Sequence, residues 1–149
     1  MDVKLSDLRH RDVLDISSAT TVGRVQGLVI DFTEQQVSAL TIDKASIEAS
    51  VLPWDQVKSV GPDAVTVDGS TGLRAPSGPA EERVGAKTDE PIGKRVLTEF
   101  GDQIGTVDDV VIDDRSGTFR GLIVDGRPLD AQLVMGIGDH AAVVRQPPS

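Results

Sequence analysis

Between Thr21 and Phe32 the hydrophobic rhythm of the chain changes in mid-strand. Arg24 and Gln26 alternate with Gly23 and Val25, which predicts a strand with one face inward. From Leu28 onward the even positions Leu28, Ile30 and Phe32 are apolar as well, so the apolar face broadens. The change falls at Gly27, where a bulge or a barrel-corner bend is expected. The same change recurs later: Thr106 and Asp108 are polar, then Val110 and Ile112 are apolar. There Asp109 stands in place of the glycine, so that bend requires another local device.

The recurrence is an internal repeat. Residues 23–31 (GRVQGLVID) read against 105–113 (GTVDDVVID) at an offset of 82, which holds through Leu40/Leu122 to Asp43/Asp125. Gly23/Gly105, Val25/Val107, Ile30/Ile112 and Asp31/Asp113 are identical pairs. Two copies of one small β unit follow. Around the repeat the pattern predicts a single helical turn near Ser6–Leu8, strands over 11–16, 21–32, 37–43, 49–52, 58–60 and 64–67, and one helical turn at Pro53–Val57. Asp113 to Thr118, with Gly117, is a hairpin signal. The second copy opens at Ile92, returns at Phe119–Asp125, and ends with Leu129–Ile137, a turn at Gly138–His140, and Ala141–Arg145.

Short strands, turn residues and no helix-period segment predict an all-β chain: two tandem small β-barrels with short helical turns, related by a pseudo-twofold axis, with at most six strands each. The expected division is a first barrel over 1–68, a linker rich in Gly, Pro and charge over 69–91, and a second, abbreviated barrel over 92–146. The last residues read as a frayed tail.

Composition narrows what such a chain does. Its 149 residues carry a net charge of −9, which opposes phosphate binding and adsorption to anionic lipid, so nucleic acid and membrane surfaces are disfavoured partners. Arg9/Arg11 and Lys94/Arg95 are scattered and read as solvated strand edges and turns. No cysteine is present, which removes disulfides, thiolate nucleophiles and cysteine-ligated zinc. No apolar stretch reaches the length of a transmembrane helix and no apolar leader is visible, so the default expectation is a cytoplasmic location without membrane insertion.

The lead ending Val13-Leu14, the pattern Gly-x-Val-x-x-(apolar)3-Asp, the hairpin, and Leu52-Pro53-Trp54-Asp55-Gln56-Val57 with the closing Gly61–Val67 hairpin resemble the PRC-barrel domain family. The resemblance covers about residues 13–67 and 92–145; Arg127-Pro128-Leu129-Asp130 matches 51–55 only loosely. It implies small β-barrels that serve as docking or assembly modules, as in the cytoplasmic domain of the photosynthetic reaction-centre H subunit and the C-terminal domain of a ribosome-maturation factor. It supplies no catalytic residues.

The acidic group Asp108, Asp109, Asp113 and Asp114 is the most site-like feature. Hard cations need several converging carboxylates, yet the two pairs stand roughly 16 Å apart on an extended strand. Asp113 and Asp114 are therefore weak metal candidates, better read as turn residues. His10 and His140 lack ligand or triad spacing, and Gly136-x-Gly138 is too short for a phosphate loop, so no cofactor is expected. Trp54, Asp108 and Asp109 are interaction candidates, with Trp54 more naturally a structural plug. Gly23, Gly27, Gly105, Asp31 and Asp113 are structural candidates.

Small barrels filled by their own side chains leave no internal site for a substrate, so the leading expectation is a non-enzymatic protein–protein interaction or scaffold module, with a basic partner or self-association into a homo-oligomer through exposed edges. The alternatives are a ribosome-assembly or RNA-processing accessory factor, and a small-ligand or metal-sensing protein using the cleft between the barrels.

Overall fold

The computed structural model describes residues 1–43, 50–69, 73–78, 81–82 and 90–145. The polar connection after Asp43, residue 49 of the expected 49–52 strand, most of the linker and the tail at 146–149 lie outside the described residues.

Thirteen strands and a few short helical turns make up the described fold. The first unit comprises β2 (Asp12–Asp15), β3 (Thr20–Asp31), β4 (Gln36–Asp43), β5 (Val51–Pro53), β6 (Val57–Val60) and β7 (Ala64–Val67). The second comprises β8 (Arg95–Thr98), β9 (Gln103–Asp113), β10 (Phe119–Val124), β11 (Arg127–Asp130), β12 (Val134–Ile137) and β13 (Ala141–Val144). Strand order is β5-β4-β3-β2-β7-β6 in one sheet and β11-β10-β9-β8-β13-β12 in the other, the same path twice. The pairs β2/β7 and β8/β13 are parallel; the other pairs along each path are antiparallel.

Two expectations are corrected. The sheets are not closed barrels: β5 and β6 stand at opposite ends of the first path. They are joined through the 3-10 turn Trp54–Gln56, so the covalent chain spans the gap that a hydrogen-bonded ladder would fill. The second sheet also has seven strands rather than six, because β1 (Asp2–Lys4) pairs with β9, Val3 opposite Ile112. Residues 2–4 therefore belong by pairing to the second sheet. The second copy's shortening is confined to one connection: Asp125-Gly126, both at positive φ, turns β10 directly into β11. After that turn the corner repeats, β11 then a 3-10 turn at Ala131–Leu133 then β12.

The bend expected at Gly27 is a bulge whose extra residue is Gln26, between the pairs Val25↔Ile42 and Gly27↔Thr41. The second copy has the same bulge at Asp108, between Val124↔Val107 and Ile123↔Asp109. Neither Gly27 nor Asp109 lies at positive φ, which explains why a glycine is dispensable there. Gly105 is needed for another reason: a Cβ on it would come within 2.7 Å of Val124 Cγ1 and Asp125 Oδ2.

One apolar core runs through both units, from Val13, Val25, Leu40 and Val65 to Val96, Ile112, Leu122 and Val144. Its wedge is α1 (Leu5–Leu8), whose Leu5 and Leu8 are fully buried. Domains near 60 residues are marginal alone, and a shared core enlarges the apolar area removed from water.

Candidate interaction site

The seam between the units pairs equivalent positions. Gln36 and Thr118, 82 apart in sequence, form an antiparallel bridge. Val37 N–H donates to Gly117 C=O at 2.8 Å, and Phe119 N–H donates to Gln35 C=O at 2.8 Å. Exchanging the copies turns one bond into the other, which is the pseudo-twofold expressed in hydrogen bonds. Phe32 meets Phe119 edge-to-face with ring centroids 5.5 Å apart. Trp54 belongs to this seam: a Cβ on Gly117 would fall 2.5 Å from its ring. The indole is half-buried and packs against the core, so its placement is that of a seam plug.

The acidic group divides as its spacing requires. Asp113 Oδ1 accepts the N–H groups of Arg115 (2.8 Å) and Ser116 (3.0 Å), and Asp31 Oδ1 accepts those of Thr33 and Glu34 at 3.0 and 3.1 Å. These are one Asx turn built twice. The turn N–H groups, with Arg120 at 3.1 Å from Oδ2, hold the Asp113 carboxyl far below its ordinary pKa. Asp114 sits 3.3 Å from the Met1 amino group. Among the described residues no three metal-ligating side chains converge.

Asp109 does not face outward. It is 8 % exposed, and its carboxylate accepts Ser6 N–H at 3.0 Å, the Ser6 hydroxyl, and Val110 N–H at 3.0 Å. It ties α1 to the second sheet, while His10 N–H and Arg9 Nε donate to the Val25 and Gln26 carbonyls of the first. Asp108 is exposed, but one oxygen accepts Gly126 N–H at 2.7 Å and so fixes the β10–β11 turn. Asp15 had not been singled out by sequence. Buried, it accepts Ser17 N–H (2.9 Å), the Ser17 hydroxyl (2.6 Å) and Gly69 N–H (3.0 Å), and the Ser17 hydroxyl foremost lowers its pKa. The spacing Asp15-x-Ser17 at a strand end was the available signal.

Among the described residues, the outer face of the second sheet carries two open concavities. Ile123, Leu129, Pro128 and Val111 floor a concavity of about 550 Å³ rimmed by Asp2, Lys4, Arg120 and Asp130. A second apolar strip, Leu97, Met135, Ile137 and Val143, lines a shallow cavity of about 520 Å³, and Met135 is 48 % exposed. By strand register Met135, Gly136 and Val143 replace Lys58, Ser59 and Thr66 of the first unit, so the shared fold does not demand an apolar surface there.

No helix among the described residues is long and apolar enough to cross a membrane. No curated protein matches the chain significantly. The family model of the PRC-barrel domain matches residues 1–74 and again 86–142, one match on each copy of the repeat. A duplicated sheet of identical strand order, matched twice over nearly its whole length, places this chain in the PRC-barrel domain family.

Proposed function

We propose that the chain is a non-enzymatic docking module that binds protein through the outer face of its second unit. The observation that carries this reading is the contrast between inside and outside. Both interiors are packed with the same aliphatic pattern, Val13 and Val65 matching Val96 and Ala142, all at 0 % exposure. The outer faces differ at matched positions: the second unit sets Met135, Gly136 and Val143 where the first has Lys58, Ser59 and Thr66. Duplicates that share a core and diverge on the surface have put their difference where a partner can meet it. A net charge of −9 favours a basic partner by steering and complementarity.

The test is crosslinking of the full chain in source-cell extract, followed by mass spectrometry. The expected result is one protein crosslinked in fixed ratio through residues of β8–β13, and lost when Ile123→Lys and Met135→Lys are combined. Absence of any protein enriched over a blank matrix refutes the reading.

A further inference from the structure

The outer face of β8, β13 and β12 carries its charges in a self-complementary order. Val96 and Thr98 on β8, and Ala142 and Val144 on β13, are buried, so the alternate residues Leu97 and Val143 point outward. Leu97 and Val143 are register partners on these two parallel strands. Arg95 stands two residues before Leu97 and Glu99 two after it, so the row along β8 reads positive, apolar, negative. The row along β13 runs the other way, with Asp139 ahead of Val143 and Arg145 behind it. Glu99 N–H donates to Val144 C=O at 2.9 Å and Arg145 N–H to Leu133 C=O at 2.7 Å, so both rows keep strand register at that end. All four charged residues are exposed, and Arg95 and Glu99 make no ion pair among the described residues. Met135, 48 % exposed, lies beside them on β12. The first unit lacks this order: by register Arg95, Glu99, Asp139 and Arg145 match Asp12, Ile16, Pro62 and Asp68.

We propose that this face binds the same face of a second copy of the chain, about a twofold axis that lies in the interface perpendicular to the strands. That operation reverses strand direction and keeps each row opposite itself. Arg95 then meets the second copy's Glu99, and Asp139 meets the second copy's Arg145, each contact made twice by symmetry. Leu97, Val143 and Met135 close the apolar centre between them. The same operation on the first unit sets Asp12 against Ile16 and Pro62 against Asp68, so those rows pair no opposite charges, and Lys58 replaces Met135 at the centre. The contact is sheet face on sheet face, because the bulge at Met135 interrupts the β12 ladder and twists that edge. Three strands make a small interface, so association is weak and reversible. The inference goes beyond the docking function: it assigns the Met135 strip to self-association and leaves the concavity floored by Ile123 to a foreign partner.

The experiment is sedimentation equilibrium of the full chain from about 10 μM to about 1 mM, the range in which a small interface assembles. The mean mass is expected to rise reversibly toward that of the dimer. Arg95→Glu and Glu99→Arg should each weaken association by about tenfold or more. Mixing those two variant chains should restore it, because the antiparallel arrangement then sets opposite charges together at both contacts. Arg95→Glu and Glu99→Arg combined in one chain should restore it as well. Met135→Lys, which installs the residue type found at the matching position of the first unit, should abolish association and keeps the test decisive if a charge reversal fails to fold. A chain that stays monomeric at the highest concentration, a dimer that persists in Met135→Lys, or no rescue on mixing overturns the proposal. A monomeric chain beside a crosslinked foreign protein leaves the docking function standing without self-association. A dimer with no foreign protein enriched refutes the docking function and leaves the self-association standing.

Discussion

Three turn positions give a direct test of how backbone strain is distributed between the two copies. Non-glycine residues with positive φ include His10 (71°), Ala19 (55°) and Gln35 (54°). Their counterparts in the second copy are Gly93 (91°), Gly101 (88°) and Gly117 (72°). The first correspondence follows from matching bonds, His10 N–H to Val25 C=O and Gly93 N–H to Val107 C=O. Ala19 is the cleanest case, because it is exposed and its methyl group packs on nothing that would be lost. A left-handed conformation costs an L-residue about 1–2 kcal/mol. Glycine gives back roughly 0.5–1 kcal/mol through its greater freedom in the unfolded chain. Ala19→Gly should therefore stabilise by about 0.5–1 kcal/mol, raising Tm by about 1–4 °C for a chain of this size. The reciprocal Gly101→Ala should destabilise by about the same amount. A Cβ there meets nothing within 4 Å, so the cost is conformational rather than steric. Urea unfolding with an unchanged m-value, supported by calorimetry, is the assay. A lower midpoint for Ala19→Gly, or no change for Gly101→Ala, would refute the reasoning.

Gly117→Ala should be worse, at about 2–4 kcal/mol, because the same strain is joined by collision with Trp54 and Gln36; Gly117→Ala with Trp54→Leu should recover part of the loss in urea unfolding. Asp109→Ala should cost about 1–3 kcal/mol by leaving buried N–H groups unpaired, with amide exchange accelerated first at residues 2–8; unchanged exchange there would sink the assignment of Asp109 as the tie. Acid should destabilise the fold. Hydrogen bonds from Ser17, Arg74 and the Ser116 amide lower the pKa of Asp15, Glu81 and Asp113 respectively. Each group therefore adds stability that is present above its unfolded pKa and lost as pH falls through the folded one, so Tm should hold near neutrality and drop below about pH 4; Asp113→Asn should flatten that drop.

The repeat made most of the fold legible, because fold is carried by residues whose type answers a local demand. Asp113 with Gly117 announced its turn, whereas Asp125, read as the end of a strand, opens the tight turn Asp125-Gly126. The rhythm change at Gly27 and Asp109 located both bulges to within one residue. The extra strand was not legible: Val3 pairs with Ile112 more than a hundred residues away, and nothing in Asp2-Val3-Lys4 marks its partner. Asp109 looked like surface because an acid inside an apolar run is usually solvated; its partner Ser6 lies in the other copy's lead, a long-range match that local pattern does not encode. The concavity on the second sheet is not legible either, because Ile123 and Val111 are ordinary strand residues by sequence and only the sheet register sets them beside Pro128 and Leu129.

The paired bonds at the seam, Val37 to Gly117 and Phe119 to Gln35, carry a consequence for assembly. A contact in which each side uses the same residues is the form taken by interfaces between identical subunits. Such a surface cannot tell the other half of its own chain from that half of a neighbouring molecule. The linker decides, by holding the halves at an effective concentration on the order of millimolar. At working concentrations far below that value the chain closes on itself. When crowded or refolded at high concentration, it would exchange halves with a neighbour, making the same bonds between two molecules instead of within one.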